Sequence, residues 1–201
     1  MKKIATLLMS LALFSCNKNQ MELSRASFTV VEGVDDHSPI YFEIQDSNTD
    51  SLILNRNNEV SGTNLILSIE RELNLLIVTE KIQAIKNKKY EDKLHKDEKG
   101  VFISYADTLH KNLAFFPIKE IDYGFSKPQT FDNLLYTNAS NDIFFEDKPI
   151  GKNDLLKTLE GKDHIQLGFS KSLNFEKYLE LRILLEELGL KEQVNAMDLI
   201  Y

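Results

Sequence analysis

The amino-acid sequence predicts an α+β fold, and three observations carry that prediction. Residues 141–201 alternate short apolar runs with amphipathic stretches, and a turn or cap residue marks each boundary. Within that stretch the apolar residues recur first at every second position, as in a half-buried strand, and then at helical spacing. Hydrophobic residues make up 42% of the chain and charged residues 27%, which matches globular averages and implies a packed core in one or two small domains.

Each element of 141–201 has a local reason. Ile143, Phe144 and Phe145 form an apolar strand, and Glu146-Asp147-Lys148-Pro149 is a turn cluster. Asn153 stands where a helix N-cap belongs, with Leu155, Leu156 and Leu159 on one face and Gly161 just past the end. His164 to Phe169 alternates, with Ile165, Leu167 and Phe169 on one side, as a second strand. Asn174 then caps a longer helix whose apolar stripe is Phe175, Tyr178, Leu179, Leu181, Leu185 and Leu188, stopped by Gly189. Met197 to Tyr201 closes the chain as a third strand, giving the order βαβαβ.

These residues resemble the periplasmic domain of the ExbD/TolR family, the small subunit of proton-driven envelope motors. The resemblance lies in the turn DKPI, the short helix NDLLKTLEGK, the cluster FSKSLNFEKY, the helix end LLEELGL and the last strand DLIY, and it covers residues 142–201. It implies a βαβαβ sheet with two helices on one face, dimer formation, and contact with an energy-transducing partner (TonB-like or ExbB-like) or with peptidoglycan. The family's transmembrane helix with its proton-carrying aspartate has no counterpart. Ile4 to Phe14 contains no acid, and eleven residues rise only about 16 Å as a helix against roughly 30 Å of hydrocarbon.

The first sixteen residues read instead as a lipoprotein signal peptide. Lys2 and Lys3 precede the apolar run, and Leu13-Phe14-Ser15-Cys16 resembles the lipobox at which bacterial lipoproteins are cut and acylated on the cysteine, here the single Cys16. A simple secretory signal, or a core helix holding a buried thiol, is the competing reading. Phe14 departs from the smaller residue usual at its position. Loss of Lys2 and Lys3 takes the formal charge from −7 to −9, which does not suit nucleic acid and leaves membrane attachment to the acyl chains. Residues 17–26 read as a polar tether. Asn17 after the cysteine favours the outer over the inner membrane, in either case facing the periplasm.

The first half is read against the second. Phe28 to Val34 and Pro39 to Ile44 form a predicted hairpin around Gly33 and Asp35-Asp36-His37-Ser38. Asp35, Asp36 and His37 lie adjacent in a turn and suit solvation better than a metal, so no metal or cofactor is expected. An offset of 90 residues, without gaps, sets Ile53 on Ile143, Leu65 on Leu155, Ile69 on Leu159, Leu75 on Ile165 and Ile77 on Leu167. That register reads as a degenerate duplication of the ExbD-like unit, against chance similarity between segments of like length. Lys81 to Gly100 reads as a solvated helix held by Ile82, Ile85, Tyr90 and Leu94, and as the least stable element. Leu113 to Ile118 is strand-like with Pro117 at an edge or end. The predicted organisation is signal peptide 1–16, tether 17–26, an N-terminal half 27–125, a linker 126–140, and the ExbD/TolR-like domain 141–201.

Catalytic motifs are missing from the chain, and its four histidines are far apart in sequence. The leading expectation is a non-enzymatic, lipid-anchored periplasmic adaptor. Its partner would pair with exposed sheet edges at Ile143, Phe144 and Phe145 and at Met197, Leu199 and Tyr201. A small-ligand-binding lipoprotein is the alternative, with Phe115, Phe116, Phe125 and Phe131 lining a closed cavity. A third reading, an exported hydrolase, requires at least two of His110, His164 and the acids to converge in one cleft.

Overall fold

A computed structural model of the chain describes residues 21–91, 99–128 and 132–201. The lipobox with Cys16 lies outside the described residues, as do Leu94 and Phe131. Among the described residues no helix is long and apolar enough to cross a membrane.

The fold is α+β, with two six-stranded sheets and three α-helices among the described residues. The first sheet contains β1 (Arg25–Ala26), β2 (His37–Gln45), β3 (Asn48–Asn55), β4 (Asn64–Ile69), β5 (Val101–Asp107) and β6 (Asn112–Pro117), with helix α1 (Leu75–Glu91) between β4 and β5. Its order is β3-β2-β4-β5-β6, and the short β1 extends the β4 side of β5. The second sheet contains β7 (Asp122–Gly124), β8 (Leu134–Thr137), β9 (Ile143–Phe145), β10 (Lys148–Ile150), β11 (Ile165–Phe169) and β12 (Val194–Ile200). Its order is β10-β9-β8-β11-β12-β7; α2 (Leu155–Leu159) precedes β11, and α3 (Phe175–Glu187) joins β11 to β12.

The two sheets repeat one arrangement. In the first, β2, β4 and β5 run parallel and β3 is antiparallel to β2; in the second, β8, β11 and β12 run parallel and β9 is antiparallel to β8. Each has one helix crossing between its last two parallel strands, as a parallel connection requires. The sequence register of the repeat is 100 residues rather than 90. Leu65, Leu67, Ile69, Leu73, Asn74 and Leu75 correspond to Ile165, Leu167, Phe169, Leu173, Asn174 and Phe175. Asn74 and Asn174 both cap the helix that follows, their side chains accepting from Leu76 N and Lys177 N.

That register corrects the expected one. Leu65 to Ile69, set against helix α2, is the buried strand β4, and Leu75 and Ile77, set against a strand, begin helix α1. Apolar runs of five or six residues with β-branched members fit either state, and burial on both faces decided for strand at β4. Helix α1 is also not weakly held, because Leu75, Val78, Ile82 and Ile85 are buried along one face.

Other boundaries move as well. The hairpin expected from 28–44 is instead β2–β3, turning at Asp46 and Ser47, both with positive φ (51° and 60°) as a two-residue turn demands. The predicted tether ends by Glu22, whose carbonyl accepts from Arg71 N; Leu23 bridges to Glu70 and Ser24 is buried. The linker 126–140 contains β8, a central strand, and sheet membership changes between Pro117 and Asp122.

The halves meet at their matched turns. Leu75 N donates to Leu173 O at 2.9 Å and Phe175 N to Leu73 O at 2.8 Å, a reciprocal pair centred on the Asn74–Asn174 bridge. Glu176 N donates to Arg71 O, and the Glu176 carboxylate meets Arg25 at 3.2 Å and Arg71 at 3.8 Å. A single apolar cluster runs from Ile40 and Phe42 through α1 and α3 to Leu135 and Ile200. Two sheets therefore share one core.

Candidate functional site

The second sheet brings together the residues singled out at its edges, but not as edges. Strand β9 lies between β10 and β8, and β12 between β11 and β7, so both strands expected to be free are paired on both sides. A short strand following a tight turn and a strand ending the chain both look terminal in sequence; β10 and β7, only three residues each, cover them. Alternation then divides the residues. Ile143 and Phe145 point into the core, while Phe144, Met197 and Tyr201 are half-buried or exposed on the other side, Met197 to 47%. Leu199 lies in their row, with Phe144, Tyr136, Gly168, Leu199 and Gly124 in register across five strands.

Gly168 shapes this face. A Cβ there would stand 3.1 Å from the Tyr201 hydroxyl and 3.2 Å from both Leu134 Cδ1 and Tyr136 Cδ2, so the missing side chain makes room for the two tyrosines. Their rings stack with centroids 5.3 Å apart and planes 24° from parallel. Burial raises the Tyr201 phenol to about 12, with Tyr136 and Asp147 adding to it, so the Tyr201 hydroxyl keeps its proton over the physiological range. The face is aromatic, apolar and uncharged along this row.

Beneath it lies a polar cluster that sequence reasoning missed. The Asp198 carboxylate, fully buried on β12, accepts from Arg182 Nη2 at 2.6 Å, Arg182 Nε at 2.9 Å and the Tyr178 hydroxyl at 2.9 Å. The Tyr178 hydroxyl stands 3.2 Å from that of Tyr123 on β7. Burial pushes the Asp198 carboxyl above its ordinary value, with the Arg182 guanidinium opposing, and burial raises both tyrosines. Nearby, Lys86 of α1 donates to the Ile121 carbonyl and meets Asp122 at 3.2 Å. Burial holds its ammonium below the usual range against the pull of Asp122. The overlooked signal was Arg182, four residues after Tyr178 on the apolar stripe of α3, a position where only a paired charge survives burial.

Arg182 also borders a cavity of about 100 Å³ lined by Phe116, Ile121, Leu185 and Val194. Ligand pockets are commonly about 300–1,000 Å³, so this one admits a small group and not a metabolite. Of the four phenylalanines expected to line one cavity, the three among the described residues are dispersed. Phe116 borders this one, Phe115 faces the opposite side of β6, and Phe125 is exposed.

Of the histidines, His110 alone meets an acid among the described residues. Asp107, buried at the end of β5, accepts from the backbone N–H groups of Leu109 and His110 and from the Thr29 hydroxyl, and lies 2.8 Å from His110 Nδ1. These bonds, Thr29 first, hold the Asp107 carboxyl far below the usual range. Thr29 lies on the carboxylate side of the ring, and Nε2 bonds to none of the described residues, so the trio closes the β5–β6 turn without presenting a nucleophile. His164 sits apart, in the turn before β11 with φ of 56°. No group of three or more metal-ligating side chains occurs among the described residues.

The geometry thus defines a class, an α+β protein with two similarly ordered mixed sheets, one shared core and an aromatic row on one sheet face. Compared with protein-family models, curated proteins and solved structures, the chain matches none.

Proposed function

We propose that the chain is a non-enzymatic adaptor of the bacterial cell envelope, held by acyl chains on Cys16 and facing the periplasm, with folded units resembling the ExbD/TolR periplasmic domain. It acts by contact with a TonB-like or ExbB-like protein or with peptidoglycan. The observation that carries this reading is the apolar face of Phe144, Tyr136, Tyr201 and Met197, with Leu199 buried among them and Asp122 at its border beside Met197. The repeated order of strands around a parallel crossover supports the resemblance, and the signal-like residues 1–16 support the location. The face replaces the strand edges as the contact.

Affinity capture from envelope extracts with the full chain tests this, with Phe144→Ser and Met197→Glu as the comparison. Recovery of peptidoglycan or of a TonB-like component by the native chain, lost in the double variant while the fold is retained, is the expected result. Equal recovery by both would remove the face from the mechanism. Recovery of neither partner by the native chain would overturn the adaptor reading.

A further inference from the structure

Among the described residues the sheets have five end strands, and four of them carry devices that prevent another strand from adding. Strand β1 is only two residues long and carries Arg25. Strand β10 is three residues long and contains Lys148 and Pro149. Strand β7 is as short, and Tyr123 N is taken by the Gln83 side chain. Strand β6 ends in Pro117, and Phe115 N already donates to Val31 O. Such charges, prolines, short lengths and coverings are how proteins protect an edge.

Strand β3 has none of these over Leu52 to Asn55. Those four residues pair with β2 on one side and with no strand on the other among the described residues. They contain neither charge nor proline. Ile53 is 46% exposed, while Leu52 and Leu54 lean on the core. An open edge of this kind presents unpaired N–H and C=O groups that only another strand completes.

We propose that β3 is a self-association edge, at which two copies of the chain pair their β3 strands antiparallel about a twofold axis through Ile53. Symmetry then sets Ile53 against Ile53 of the second copy and Leu52 against Leu54. The same register sets Asp50 opposite Arg56, and this charge complementarity selects a second copy over an unrelated strand. Arg56 meets its own Glu59 through Nε and Nη2, which leaves Nη1 for the incoming carboxylate. A register shifted by one residue sets Asp50 against Asn57 and loses the match. Pairing merges the two first sheets into one continuous sheet and covers the exposed isoleucine. The inference rests on edge geometry alone and stands or falls apart from the envelope reading.

Sedimentation of the full chain tests it. The native chain is expected to form dimers, and Ile53→Lys, a substitution on an exposed position that leaves the core untouched, is expected to weaken them about tenfold or more. Asp50→Lys should weaken them too. In a Cys16→Ser background, Ile53→Cys should cross-link between copies on mild oxidation, because directly opposite Cβ atoms stand about 4.5–5.5 Å apart. Val60→Cys, exposed elsewhere, should not. A native chain that stays monomeric up to about 1 mM, or a dimer indifferent to Ile53→Lys, or equal cross-linking at both cysteines, would overturn the proposal. So would a chain that is monomeric alone and pairs only with an added foreign peptide.

Discussion

Asp198 and Arg182 show how one residue's surroundings set the cost of changing it. Both are buried, and the two guanidinium bonds at 2.6 and 2.9 Å are what make the carboxylate tolerable there. Arg182→Met leaves Asp198 uncompensated and should lower stability by about 3–5 kcal/mol in urea denaturation. Adding Asp198→Leu should recover most of that loss, since a buried pair exchanged for apolar residues is often neutral or better. If the double variant is no more stable than the single, the pair does more than neutralise itself. Sequence reading passed over both residues: it took Met197 to Tyr201 as a strand and chose its alternate members, and it read α3 as an apolar stripe. The pairing spans sixteen positions and exists only because α3 folds back over β12.

At the level of elements, the start of α3 was legible from its capping side chain, and the start of α1, capped in the same way, was not. Asn174 caps α3 as expected from its place before an apolar stripe, and Asn74 does the same for α1. Asn174→Ala and Asn74→Ala should each cost about 1 kcal/mol. Asn153, expected to cap the short helix, instead lies in a 3₁₀ turn (Lys152–Asp154), and Asp154 at the start of α2 makes no side-chain cap bond. Asn153→Ala should therefore change stability by less than about 0.5 kcal/mol. A cost near that of Asn174→Ala, read from the same unfolding curves, would contradict this account. Among the described residues, strand and helix were confused in β4 and the start of α1, where the apolar residues run without a clear period.

Across the whole molecule the shared core makes the halves one folding unit. Leu75 and Leu173 come from different halves, lie opposite each other across the Asn74–Asn174 bridge, and are both buried. Calorimetry should show a single unfolding transition, and the costs of Leu75→Val and Leu173→Val should depart from additivity by about 0.5–3 kcal/mol. Two separate transitions would mean that the halves melt independently. The α+β class, the helix–strand–helix–strand order from Leu155 to Ile200 and the caps at Asn174 and Gly189 follow from local patterns, because periodicity, caps and turns act over a few residues. Lys148 to Ile150, expected within or beside a turn, is instead a strand hairpinned onto Ile143–Phe145 and makes the order ββαβαβ. The register of the repeat, the pairing of β9 and β12 on both sides and the placing of Tyr136 beside Tyr201 do not follow from local patterns either. Each depends on which distant strand lies alongside, and neighbours in a sheet are chosen by burial of whole faces rather than by any residue's own preference.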